Sequence, residues 1–225
     1  MSHTLVDMCC IPRTAVFKPS TRAELIQAIK HCLKEAHDKR LPYDCAAGKH
    51  GAIGNWDVTA VTDMRYVFYG NKDNKQGHYV LYAESFNGDI SKWDVSRVTN
   101  MLGMFAYAKR FNGDISKWSV SRVTTFEDMF HTAERFNVDL TKWDVSGATS
   151  MKNMFYNAVS FSQTLGGSWS TSKADKTGML VGSKNMSECI VHCVTLTYLG
   201  MHPHVTARLF TQDLIVWMSK CVRVC

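Results

Sequence analysis

Apolar positions recur in this chain with a period far longer than that of a helix or a strand. From Phe86 the sequence reads FNGDISKWDVSRVTNMLGMFAYAKR. It restarts at Phe111, at Phe136 and, in a copy that soon fails, at Phe161, a step of 25 residues each time. An earlier half-copy, WDVTAVTDMRYVF, opens at Trp56, and an insertion over about residues 71–82 separates it from the regular copies. Self-similarity at such a period signals units that bury their apolar faces only by stacking on one another. In each copy the apolar residues after the tryptophan fall at offsets of 3, 6–7 and 10: Val98, Met101, Met104 with Phe105, and Ala108 in the first. That spacing predicts a short helix with one buried side, for which Ser96, Ser121 and Ser146 are the candidate caps. Ahead of it, Trp93 and Val95 share a face by strand alternation, while Ile90 is out of phase and packs at the incoming turn.

The stacked copies place Phe86, Phe111, Phe136 and Phe161 in one column and Trp56, Trp93, Trp118 and Trp143 in another. Asn87, Asn112 and Asn137 form a polar column whose amides satisfy loop backbone groups. Asn-Gly-Asp at 87–89 and 112–114 supplies the turn. Val138 replaces the glycine in the third copy, so a left-handed conformation is not expected there. The fold class expected is an α/β repeat solenoid, leucine-rich-repeat-like, with an N-terminal capping helix. That helix begins near Ser20: Thr21 and Glu24 have capping-box spacing, and Leu25, Ile29, Cys32, Leu33 and Ala36 form one apolar stripe. The organisation read from the sequence is a loosely ordered arm over 1–19, the capping helix and a loop over 20–55, repeats over 56–180 and a tail of unknown fold over 181–225.

Charge narrows the partners. The formal net charge is +6, yet residues 56–161 hold 12 basic and 12 acidic residues, so the excess lies in the flanks. A nucleic-acid binder built on its repeats would carry a basic stripe there, and no nucleic-acid partner is expected. No run is apolar and long enough to span a bilayer, and the opening MSHTLVDMCCIPRTAV does not read as a secretory signal. The eight cysteines lie outside the repeats, and without an export signal reduced thiols are the default expectation.

No phosphate-binding glycine loop or nucleophile elbow is present, so no enzyme, no cofactor and no resident metal are expected. Asp89, Asp114 and Asp139 recur with the repeat, which argues for turn chemistry rather than a single asymmetric site. The tail contains Cys189, His192, Cys193, His202, His204, Cys221 and Cys225, ligand types that could close a zinc site, although the spacing matches no common finger. A metal- or redox-responsive tail is therefore the alternative function. The main expectation is a non-catalytic repeat protein offering a surface to a protein or glycan partner. Lys92, Lys117 and Lys142, each just before a tryptophan, point away from the tryptophan face and are the candidate binding row, with Asp94 and Asp144 placed to neutralise part of it.

The pattern FN-x-D-[IL]-[ST]-x-W-[DS]-V-[ST]-x-[VA]-T-x-[MF]-x-x-M-F, over about residues 52–165, resembles the repeat of BspA-like leucine-rich-repeat surface proteins. These occur in bacterial surface proteins and lipoproteins and in algal and protist proteins. The resemblance implies a leucine-rich-repeat-like solenoid, a role in surface binding or adhesion, and a cell-surface location; it carries no catalytic residues.

Overall fold

The computed structural model describes residues 16–184 apart from 47, 72 and 74–76. The helix α1 runs Arg22–Lys39, capped by Thr21, whose hydroxyl accepts from the Glu24 N–H. Glu24 in turn accepts from the N–H of Ser20, just before the cap, at 2.7 Å, so a first-turn donor and the entering backbone are each satisfied. Its buried stripe is Leu25, Ala28, Ile29, Cys32, Leu33 and Ala36. The stripe joins the same apolar core as Trp56, Met64 and Phe68 of the first coil. Arg22 adds a bond from its guanidinium to the Arg65 carbonyl, so the helix closes an end that would otherwise expose core and backbone to water.

The expected α/β solenoid does not form. Among the described residues no coil contains a helix like the one predicted after each tryptophan, and no extended strand or sheet is present. The other helical pieces are two single 3-10 turns, Ile53–Asn55 and Ala83–Ser85, and the four-residue α2, Ser168–Thr171. Successive coils meet instead at isolated parallel bridges, Asp63 with Asn100, then Thr125, Ser150 and Asp175.

Backbone hydrogen bonding explains both corrections. A helix needs each N–H to reach the carbonyl four residues back. Here the N–H groups of Met101, Gly103, Phe105 and Tyr107 instead donate to Thr125, Glu127, Met129 and His131 of the next coil, at 2.7–3.0 Å. The intervening N–H groups of Met104, Ala106 and Ala108 close turns onto carbonyls three residues back. Offsets of 3, 6–7 and 10 suit such three-residue turns as well as a helical face, which is why the buried positions agree while the element does not. Left-handed residues recur twice per coil: Gly103 and Tyr107, Asp128 and Thr132, Asn153 and Asn157, Gly178 and Gly182. They bend the chain before any bridge can lengthen into a strand. Gly88 and Gly113 are not among them, in keeping with Val138 at the equivalent place.

The stacking columns do form. Phe86, Phe111, Phe136 and Phe161 lie 5.9–6.1 Å apart between ring centroids with near-parallel planes. A second stack, Phe68, Phe105, Phe130 and Phe155, runs beside it at 5.3–5.7 Å. The five described tryptophans are buried. Trp56 spends its indole N–H on the His50 and Gly51 carbonyls, and the other four spend theirs on a carbonyl of the coil before. Trp93 donates to Ile53, Trp118 to Ile90, Trp143 to Ile115 and Trp169 to Leu140, at 2.8–3.3 Å.

Of the arm expected over 1–19, residues 16–19 are described and lie against the first coil. The Phe17 ring sits 3.9 Å from His50, and its carbonyl accepts from the Asp57 N–H. Cys32 of α1 and Cys45 of the following loop form a disulfide, with Cα atoms 5.3 Å apart. This corrects the expectation of reduced thiols for that pair. The helix stripe aims Cys32 at the loop, a proximity that sequence separation alone does not reveal.

Candidate binding face

Most recurrent polar side chains serve the scaffold. Asp89, Asp114 and Asp139 each accept from the N–H two residues on, at 2.8–3.0 Å, and Asp57, Asp94, Asp144 and Asp175 do the same in their own turns. Bonds from the neighbouring Ser or Thr hold the carboxyls of Asp89, Asp94, Asp114, Asp139, Asp144 and Asp175 below the usual value. The turn reading of the three Asp residues holds. Asp94 and Asp144, not the expected Ser96 and Ser146 hydroxyls, shape the turns after Trp93 and Trp143. The asparagine column also forms: Asn87 accepts from the Asn112 N–H, Asn112 from Asn137 and Asn137 from Ser162, at 2.8–2.9 Å.

Lys92, Lys117 and Lys142 are exposed, and the tryptophan after each is buried. The three amines act on the carboxylates three residues before them, Asp89, Asp114 and Asp139, whose pKa values they help to lower after the turn hydrogen bonds. The neutralising partners are thus these turn aspartates, rather than Asp94 and Asp144 as the spacing suggested.

A row of aromatic residues missing from that reading crosses the same coils. The Tyr66 and Tyr69 rings meet edge to face at 5.3 Å, Tyr69 and Tyr107 at 5.7 Å, Tyr107 and His131 at 5.2 Å, and His131 stacks on Tyr156 at 4.9 Å. His78, from the insertion, stacks on Tyr66 at 4.3 Å. Tyr69 is nearly buried, and the others are half-buried. Burial first, and then neighbouring carboxylates and phenols, raise the Tyr66 and Tyr107 hydroxyls above their usual value. Small residues make room for this ridge: the Tyr66 ring lies where a side chain on Gly103 would stand. The row is hidden from a search for identical repeats because its positions change residue type from copy to copy. Tyr69, Ala106, His131 and Tyr156 are equivalent positions, and their variation between copies is the signal that could have found it.

At the N-terminal end a groove of about 640 Å³ is lined by residues that include Phe17, His50, Trp56, Thr59 and Lys92. Asp57, at its edge, pairs with Lys18 at 2.8 Å and is lowered to about 2 by that bond and by Thr59. Among the described residues, no group of three or more His, Cys, Asp or Glu is placed to hold a metal. The tail cysteines and histidines lie outside the described residues. No helix among the described residues is long and apolar enough to cross a membrane.

A family model described as "Mycoplasma protein of unknown function, DUF285" matches residues 39–79 and 76–192. Searches of curated proteins and of solved structures return no match. With well over half of its residues inside those two matches and its coils stacked in the order of the repeat, the chain belongs to the DUF285 family of Mycoplasma proteins of unknown function.

Proposed function

We propose that this is a non-catalytic repeat protein of BspA-like surface type, whose stacked coils present a face for binding another macromolecule. The observation that carries the reading is the division of labour among side chains. The recurrent Asp and Asn side chains are consumed by turns and intercoil bonds, whereas the aromatic ridge of Tyr66, Tyr69, Tyr107, His131 and Tyr156 varies in residue type between copies. Tyrosine-rich, partly exposed clusters offer large contact area at small entropic cost, a composition enriched at binding interfaces. The Cys32–Cys45 disulfide supports a location outside reducing compartments. Lys92, Lys117 and Lys142 would serve the same partner as a polar rim.

The test is saturable binding of the full chain to immobilised extracellular proteins and glycans. It would be repeated with a Tyr107→Asn, Tyr156→Ser double variant and with a variant changing all three lysines to serine. Weaker binding by the tyrosine variant, and weaker binding at low salt by the lysine variant, support the reading. A chain that binds none of these macromolecules but turns over a small molecule would overturn it.

A further inference from the structure

Asp128 sits in the aromatic ridge as a half-buried carboxylate. His131 and the Asn153 side chain favour its charge against burial, and that charge reaches the Tyr66 and Tyr107 hydroxyls. Glu127, beside it, accepts from the Ser150 hydroxyl at 3.2 Å. No ion pair among the described residues reaches either acid. Of the described cations in the neighbouring coils, Arg65 forks onto Asp63, and Lys152 leans toward Asp175. Burial pushes the Asp128 carboxyl above the usual carboxylate value and His131 below the usual imidazole value. The histidine is thus a poor source of compensating charge.

The rings around this carboxylate have a defined arrangement. Tyr66 and Tyr107 both stand nearly perpendicular to Tyr69, at 83° and 71°, and Tyr69 is only 9% exposed. Two partly exposed phenols therefore stand against one buried ring, Tyr66 with one face covered by His78 and the other side open toward Tyr107, and acids of the third coil lie beside them. Tyrosine faces attract cations, and a carboxylate adds a charge-assisted acceptor. Between the two biological cations, guanidinium fits better. It is planar, weakly hydrated and forked, whereas an ammonium is a strongly hydrated point charge that gains little from flat walls.

We infer that this ridge is a docking site for an arginine side chain of a polypeptide partner, received between Tyr66 and Tyr107 and bonded to Asp128 with Glu127. The inference rests on the binding function proposed above and specifies its partner as an arginine-bearing protein segment. The chain's own formal charge of +6 opposes indiscriminate attraction of basic peptides, so binding there would report the local site.

The experiment is calorimetric titration of the full chain with a short, end-blocked oligo-arginine peptide and with its oligo-lysine counterpart. The arginine peptide should bind about tenfold more tightly than the lysine peptide. Asp128→Asn should weaken it by about tenfold or more, the scale of one charged hydrogen bond. Asparagine is a safe substitute because Asn153, one coil on, holds the same left-handed conformation. Tyr107→Asn should weaken binding as well. Equal affinity for the two peptides, or an Asp128→Asn variant that binds as the parent does, would overturn the inference. If Tyr107→Asn still weakened capture of a macromolecule in that case, the general binding function would survive and only the arginine assignment would fall. If neither peptide nor macromolecule responded to ridge variants, both would fall.

Discussion

Thr132 holds φ of 57°, a conformation that glycine and asparagine tolerate and a β-branched residue does not. Its equivalents are Tyr107, Asn157 and Gly182, so the coil imposes the geometry and the residue adapts. Thr132→Asn should therefore raise stability by about 1 kcal/mol, read as a higher urea midpoint with an unchanged slope. Asn137 works in the opposite sense. Its amide oxygen receives the Ser162 N–H and the Gln163 amide, and its backbone carbonyl takes a second bond from Gln163. Asn137→Ala leaves the first two donors without that oxygen and should cost about 1–3 kcal/mol in the same titration. Asn112→Ala, at an exposed site where water can substitute, should cost less.

At the scale of the coil, stability comes from columns shared by neighbours rather than from any element complete in itself. Trp118 is 4% exposed and bonds back to the Ile90 carbonyl. Trp118→Ala should cost about 3–5 kcal/mol, combining lost burial with an unfilled cavity; a loss under about 1 kcal/mol would mean the column contributes little. The turns add a pH dependence. Asp57 titrates near 2 when folded and near the ordinary 3.8 when unfolded. A depressed carboxylate contributes stability above its unfolded value and loses it as pH falls through the folded one. Stability should therefore decline from about pH 4 toward pH 2. Asp57→Asn should flatten part of that decline while lowering stability at neutral pH, measured by denaturation across that range.

At the scale of the molecule, the stack is closed at its first coil by α1 and the docked segment 16–19, and the Cys32–Cys45 disulfide fastens that closure. The bridge spans 13 residues, and a loop of that size constrains the unfolded chain by about 3 kcal/mol. Reduction, or a Cys32→Ala, Cys45→Ala variant, should lower stability by that order. Hydrogen exchange should quicken in α1 and the first coil before the third. Uniform quickening throughout would mean that the stack unfolds as one unit and that the cap has no separate role.

The 25-residue period, the aromatic and asparagine columns, the buried stripe of α1 and the turn role of the recurrent aspartates were all legible in the sequence. Each depends on which side chains must leave water, and that requirement is written in residue type and spacing. The conformation of the coil was not legible. Burial at offsets of 3, 6–7 and 10 is common to a helix and to a run of three-residue turns. The choice fell to backbone N–H groups, such as those of Met101 and Gly103, whose acceptors lie in the next coil. Gly103, Asp128, Asn153 and Gly178, all tolerant of left-handed backbone, were the one local hint of that choice. The ridge lay further from view, because Tyr69, Tyr107 and His131 meet only once the coils have stacked. Tertiary structure decided the ridge and the Cys32–Cys45 pair for one physical reason: both are contacts between segments whose distance the sequence does not encode locally.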